Sequence, residues 1–213
     1  MGGGSPGLDV IIKTIDSYLA ERDKVREAAI RFSRDVVRLS KIVINSIYSG
    51  DVEAALKAAS DMDSVVSELR GLLEGYPDIY YSGLVYNALS EYVEASLFLD
   101  VVSGRRLRGF EELGVPPVPY LQGLGDLVGE LRRLALDKVR REDFEGAWGL
   151  YRLMEAIYIG LAKLNYVDAL IPGVRHKVDV ARRLVDETLA LLVDLESRRR
   201  LQESLRASRA LEF

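Results

Sequence analysis

Apolar residues recur at helical spacing along almost the whole chain, and the strict alternation that marks a β-strand is nearly absent. Between residues 9 and 49 the apolar side chains fall mostly at helix-compatible steps, which places them on one side of a helix. Glycine and proline interrupt this pattern where helices are expected to end. The sequence therefore predicts an all-α fold, a bundle of six or seven helices forming a single domain.

Gly50 and Asp51 illustrate how the helix boundaries are placed. Glycine accepts the left-handed conformation that ends many helices, and aspartate caps the start of the next one. The glycine-rich composition of residues 1–7 predicts a flexible leader, ahead of a helical domain at residues 8–213. The predicted helices cover residues 9–49, 52–74, 78–103, 119–141, 143–166 and 174–210, with a proline-rich hinge at residues 114–119.

Composition excludes several classes of protein. The chain has no cysteine and a single histidine among its 213 residues. It therefore has no disulfide framework, no thiolate nucleophile, no zinc finger and none of the paired histidines of zinc proteases or ferritin-like di-iron bundles. Charges interrupt every apolar stretch before it reaches the length of a membrane span, and the leader does not resemble a signal peptide. We expect a soluble cytoplasmic protein.

The net charge of -4 gives no general reason to expect a nucleic-acid partner. The 29 basic residues nevertheless comprise 22 arginines and 7 lysines. Arginine favours bidentate contacts with carboxylate and phosphate groups. Genome composition or heat adaptation explains the same bias.

Two pairs of carboxylates lie within otherwise apolar sequence. Glu91 and Glu94 are three positions apart, and Asp126 and Glu130 are four positions apart, so each pair lies on one face of a predicted helix. A carboxylate without a partner is costly to bury in apolar surroundings. Acids at these spacings are also common on solvated helix faces, and that interpretation stays open for each pair.

Glycines make the second pair more informative. Gly123, Gly125 and Gly129 lie inside a predicted helix, where each costs about 1 kcal/mol relative to alanine. Gly125 and Gly129 share a face, which favours a close crossing by a neighbouring helix. We expect this crossing to bring Asp126 and Glu130 beside the third helix, where four carboxylates would require a cation. Oxygen ligands without histidine or cysteine favour Mg2+ or Mn2+.

These motifs resemble the translin superfamily, and within it the branch of translin-associated factor X (TRAX). The most specific element is the Tyr-Leu-x-Gly-x-x-Asp-Leu-x-Gly-Glu-Leu pattern, present here at residues 120–131. The similarity covers most of the chain from about residue 23 to residue 195. The segments that carry it are residues 32–41, 90–99, 118–135, 160–165 and 175–195.

The resemblance implies a seven-helix protomer that assembles into a barrel-like, typically octameric shell around RNA. It implies an Mg2+-dependent endoribonuclease that hydrolyses single-stranded or open-ended RNA, either as a homo-oligomer or together with a translin-like subunit. By motif position, Glu91, Glu94 and Asp126 match the catalytic carboxylates of the family. Glu130 matches a fourth acid that supports the metal site.

One departure concerns the contacts to RNA. Translin carries a basic stretch just before the third-helix motif, whereas residues 78–87 contain tyrosines and no cation. Tyr80, Tyr81 and Tyr86 are candidates for stacking on bases or for packing at a subunit interface. Several cations are candidates for RNA contact, and each is also interpretable as a solvated or ion-paired side chain. They are Arg31, Arg34, Arg38, Lys41, Arg132 and Arg133, together with the connector arginines Arg105, Arg106 and Arg108.

Two other functions remain compatible with the sequence. The first is a non-catalytic RNA-binding oligomer that keeps the acids for structural reasons. The second is an all-α nucleotide pyrophosphohydrolase, a class that also arranges Glu-x-x-Glu and a second acidic pair around Mg2+. The proline-rich hinge and the element at residues 123–130 fit that second class poorly.

Overall fold

A computed structural model describes residues 6–210, which form eight α-helices and no β-strand. The prediction of an all-α fold is confirmed. Residues 1–5 of the predicted leader lie outside the described residues, and the first helix already begins at Pro6. The helices are α1 (Pro6–Ser49), α2 (Val52–Leu73), α3 (Pro77–Tyr80), α4 (Gly83–Val102), α5 (Phe110–Leu113), α6 (Pro117–Arg140), α7 (Phe144–Ala162) and α8 (Val174–Ala210).

The turn between α1 and α2 follows its sequence signals. Gly50 has φ +76°, the left-handed region in which a side chain would be strained. The Asp51 carboxylate accepts a hydrogen bond of 3.0 Å from the backbone N–H of Ala54, so it caps an otherwise unsatisfied donor at the start of α2. These two residues reverse the chain and allow α2 to pack along α1.

Other boundaries differ from the predicted ones. The predicted third helix is divided into α3 and α4, with a break at Tyr81 and Ser82. Glycine at the start of α4 is a poor helix former, and the apolar pattern alone did not reveal the break. The short helix α5 was not predicted, and α7 ends at Ala162, four residues before the expected end.

The contacts divide the chain into two compact units, Met1–Leu99 and Asp100–Phe213, so that the boundary lies near the end of α4. In the first unit α1 and α2 pack along each other around fully buried residues such as Val36, Val43 and Met62. Ser40 reaches into this core, where its hydroxyl donates to the backbone oxygen of Val36 at 2.9 Å.

The second unit is built on α6, α7 and α8, each of which packs against the other two. Its core contains the fully buried side chains of Leu127, Leu131, Met154 and Leu192. None of the helices between residues 6 and 210 is both long enough and apolar enough to cross a membrane.

Candidate functional site

The first carboxylate pair lies on α4, within the first unit. Around it, Tyr92, Val93 and Ala95 are at most 4% exposed, whereas Glu91 and Glu94 are both partly exposed. Residues three apart are neighbours on a helix surface, so the two carboxylates share a face. The helix therefore places both acids where water still reaches them and buries the residues between and beside them.

Two contacts fix the orientation of α4 within its unit. The Tyr92 hydroxyl donates a hydrogen bond of 2.7 Å to Oδ1 of Asp63 on α2. The Phe98 ring packs against Tyr48 of α1 with 5.5 Å between the ring centroids. Because both contacts resist rotation of α4 about its axis, they hold in place the face that carries Glu91 and Glu94.

The second pair lies on α6, within the second unit. Asp126 and Glu130 are partly exposed, while Leu127, Val128 and Leu131 are completely buried. This alternation follows from helical periodicity, because residues four apart share one face. The α6 pair thus has the same character as the α4 pair: two carboxylates at the edge of a buried apolar surface.

The predicted close crossing is present at Gly125, but the helix that crosses there is α8 and not the third helix. A Cβ on Gly125 would lie 2.7 Å from Cβ of Lys177, so only glycine fits without a shift. The Lys177 ammonium lies 2.6 Å from Oδ1 of Asp126. Gly129, in contrast, has open space where a Cβ would be.

The described residues contain no group of three or more acidic or histidine side chains that could hold a metal ion. The donors themselves have the chemistry that a hard divalent cation prefers, since all four are carboxylates and all four are partly exposed. The metal site that the sequence predicts at Glu91, Glu94, Asp126 and Glu130 stays a prediction.

Cations line one side of α1. Arg31, Arg34 and Lys41 are exposed and have neither a hydrogen bond nor an ion pair within residues 6–210. Arg38 lies on the same side, and its Nη2 is 3.1 Å from Oδ1 of Asp35. Their spacing places the four cations on one face over about 15 Å of helix. Among the predicted RNA contacts, these are the residues that α1 presents to solvent.

The two arginines of α6 are in a different situation. Nη2 of Arg132 lies 3.1 Å from Oε2 of Glu187 on α8, and its buried Nε has no hydrogen-bond partner. Arg133 is exposed. Arg132 therefore contributes to the contact between α6 and α8.

The connector arginines at residues 105–108 are engaged by acids. Asp100 is 1% exposed. Its carboxylate oxygens lie 3.3 Å from Nη2 of Arg105 and 2.9 Å from Nε of Arg108. Arg106 makes two parallel contacts to Glu112, at 2.8 and 2.7 Å. These pairs neutralise the arginines and tie the connector to the end of α4 and to α5.

The tyrosines before α4 form a ladder of edge-to-face contacts. Tyr81 lies 5.3 Å from Tyr80 and 6.0 Å from Tyr86, measured between ring centroids. Burial raises the pKa of Tyr80 and the pKa of Tyr86, while Tyr81 is 61% exposed. Tyr80 and Tyr81 also line a cavity of about 470 Å³ together with Arg70. Both interpretations, base stacking and interface packing, fit this arrangement.

Sequence reasoning missed two charged residues of these sites. Lys177 is 51 positions from Asp126, and the glycine pattern led us to expect the third helix at the crossing, where the structure has α8. Asp100 had a local signal, since an acid that ends an apolar helix just before several arginines is a natural ion-pair partner. Lys177 lies within the segment 175–195 that carries the family resemblance, but no motif singled out either residue.

The helices and the charged sites together define an all-α protein with carboxylate pairs on two helices and a cationic face on a third. Residues 24–188 match the Translin family, and the chain belongs to that family. The matched range runs across both compact units.

Individual relatives agree with this assignment. An uncharacterized protein of Methanocaldococcus jannaschii is 26% identical over 192 residues, which cover 89% of this chain and 85% of that protein. Translin-associated protein X of Rattus norvegicus is 22% identical over 196 residues, covering 70% of this chain and 66% of that protein. The resemblance to the TRAX branch is thereby confirmed at low identity.

Solved structures share the fold. The structure of an AfC3PO–duplex RNA complex aligns with a TM-score of 0.81 and 32% identity, covering 88% of this chain and 97% of that chain. The crystal structure of apo-NeC3PO aligns with a TM-score of 0.78 and covers 90% of this chain and 98% of that chain. Its identity of 23% supports the fold alone.

Proposed function

We propose that this protein is an Mg2+- or Mn2+-dependent endoribonuclease of the translin–TRAX type, which hydrolyses single-stranded or open-ended RNA inside an oligomeric shell. The observation that carries the proposal is the pair of carboxylates on α4 and the pair on α6, each on one partly exposed face of a largely buried stretch. Membership of the Translin family supports it. So does the 32% identity to AfC3PO, whose structure includes duplex RNA.

In this proposal Glu91, Glu94, Asp126 and Glu130 would hold the divalent cation, directly or through water. Such a cation acts as a Lewis acid towards phosphate oxygens and lowers the pKa of water. One of the carboxylates would accept the proton of the attacking water while the new P–O bond forms and the bond to the leaving ribose oxygen breaks, and that oxygen would take a proton from solvent. Glu130 supports the other three acids as a ligand or as a hydrogen-bond acceptor.

RNA binding is proposed for the cationic face of α1, formed by Arg31, Arg34, Arg38 and Lys41. Its exposed, mostly unpaired cations suit phosphate groups spaced along a strand. Arg132 and Arg133 of α6 are the second proposed group, with Arg132 first having to release Glu187.

An oligomer is supported by the first turns of α1. Leu8, Ile11, Ile15 and Leu19 recur at helical spacing and are each about half exposed. An apolar stripe of this length on a protein surface commonly marks an interface. We propose a homo-oligomer, an octamer by family resemblance, or a hetero-oligomer with a translin-like subunit. Light scattering of the wild type and of Ile15→Asp tests this, and an unchanged mass in the variant contradicts a role for the stripe.

A cleavage assay tests the activity. Labelled RNA is incubated with the protein in Mg2+ and in EDTA, beside Asp126→Asn and the control Asp61→Asn, which alters an exposed acid of α2. We expect metal-dependent cleavage that Asp126→Asn lowers at least about 100-fold and that the control leaves intact. Binding without cleavage would favour the non-catalytic oligomer, and hydrolysis of dNTPs in a parallel assay would favour the pyrophosphohydrolase.

A further inference from the structure

We propose that Lys177 is a positioning residue for Asp126 and a phosphate contact for the RNA substrate. Its ammonium holds the Asp126 carboxylate, and it would contact a phosphate oxygen of RNA if Asp126 took a divalent cation as a ligand. This inference rests on the proposed nuclease function, and it assigns a role to a residue that neither the motifs nor the charge pattern indicated.

The first support is the ion pair itself. Nζ of Lys177 lies 2.6 Å from Oδ1 of Asp126, and the two side chains are 31% and 30% exposed. A contact this short is a charge-assisted hydrogen bond. The remaining exposure leaves the pair open to water, so a divalent cation can reach the same carboxylate and compete with the ammonium.

The second support is the helix crossing that places Lys177. A Cβ on Gly125 would lie 2.7 Å from Cβ and 3.4 Å from Cγ of Lys177, so the lysine stem lies directly over the glycine. The next residue along α6 is Asp126. The glycine therefore fixes where the lysine leaves α8 and restricts its head group to the neighbourhood of this acid.

The third support is the number of donors. An ammonium carries three N–H donors, and within the described residues Lys177 donates one hydrogen bond, to Asp126. The others remain available for a phosphate oxygen. An ammonium next to a metal-binding carboxylate also repels a divalent cation. Removing the charge should therefore strengthen metal binding and weaken RNA binding.

The test measures metal binding and catalysis separately. Binding of Mn2+ without RNA is followed by electron paramagnetic resonance in the wild type, Lys177→Met and Lys177→Arg. We expect Lys177→Met to lower the Mn2+ concentration at half-saturation about threefold, because the competing charge is gone. We expect the same variant to raise KM for RNA about tenfold with a smaller change in kcat, and Lys177→Arg to restore KM.

Controls separate this role from a structural one. Lys163→Met removes an exposed lysine at the end of α7 and should change neither quantity. In an Asp126→Asn background, Lys177→Met should affect Mn2+ binding less than in the wild type, because the lysine no longer competes for the Asp126 carboxylate. Thermal melts of each variant verify folding.

The outcomes distinguish the two proposals. If the wild type binds no Mn2+ and cleaves no RNA, the proposed function fails and this inference fails with it. If the wild type binds Mn2+ and cleaves RNA while Lys177→Met weakens metal binding or leaves KM unchanged, only the role of Lys177 is overturned.

Discussion

Two arginine-rich regions of this protein look alike in sequence and differ in structure. The connector at residues 105–108 is the denser cluster, yet Asp100 and Glu112 engage its three arginines. The face of α1 spreads its four cations over residues 31–41, and among them only Arg38 has an ion-pair partner. The local concentration of arginine therefore does not indicate how much positive charge is available to a ligand.

The difference arises from the position of the nearest acids. Asp100 ends a buried helix, where its charge requires partners, and the connector that follows supplies them. Around the cationic face of α1 the cations are exposed, and Asp35 is the acid that pairs with one of them. We expect the connector arginines to stabilise the fold and the α1 cations to bind phosphate.

The largest effect is expected from removing the acid that holds the connector. Asp100→Ala leaves Arg105 and Arg108 without their partner, and breaking a buried pair in this way is strongly destabilising. Because the two arginines are 53% and 32% exposed and can recover hydration, we expect a loss of about 2 kcal/mol. Urea unfolding measures it, and Asp61→Ala in α2 is the matched control. Equal midpoints for the two variants would show that Asp100 does not hold the connector.

The next effect is on RNA affinity. Replacing Arg31, Arg34 and Lys41 by alanine should weaken binding at low salt at least about tenfold and reduce the slope of log K against log salt by about 2, since each phosphate contact contributes about 0.7 for a single strand. Fluorescence anisotropy across a salt series gives both values.

The connector supplies the comparison for that experiment. Arg105→Ala combined with Arg106→Ala removes two cations from the denser cluster and retains Arg108, the closer partner of Asp100. We expect the salt slope to stay at its wild-type value. A slope reduced as much as in the α1 variant would mean that the ion pairs open when RNA binds, and the distinction between the two regions would be lost.

A smaller effect on RNA affinity should follow from removing the ion-pair partner of a cation on α1. Asp35→Asn removes the partner of Arg38, which lies 3.1 Å away and is 61% exposed. Exposed pairs are weak, so we expect RNA affinity to rise only about twofold. Arg38→Ala should abolish the gain in the same background, and a gain that persists would assign it to the lost acidic charge alone.

Local signals predicted much of the fold. Gly50 and Asp51 determine the first turn through backbone conformation and capping, both of which depend on adjacent residues. The break at Tyr81 and Ser82 was missed because no proline marks it and the apolar pattern continues across it. The boundary between the compact units within α4 had no local signal, since it reflects contacts between distant segments.

The candidate site could be predicted from the sequence to a similar extent. Spacing placed each acid pair on one helix face, which depends only on helical periodicity. The glycine pattern indicated a close crossing, but the crossing helix had to be found in the structure, because nothing near Gly125 identifies α8. Lys177, which forms an ion pair with Asp126, was missed for the same reason.

The smallest effect concerns the connector at low pH. The side-chain hydrogen bonds from Arg106, together with the backbone N–H of Gly109, lower the pKa of Glu112 to about 2. Since the pKa is lower in the folded protein than in the unfolded chain, the stabilisation is complete above the unfolded-state pKa and is lost progressively as the pH falls from there through about 2. Titration by NMR should show Glu112 ionised well below pH 4. In Arg106→Ala the pKa should rise towards its ordinary value and stay somewhat below it, because Gly109 still donates at 2.8 Å. An unchanged pKa in that variant would mean that the paired geometry of the connector does not persist in solution.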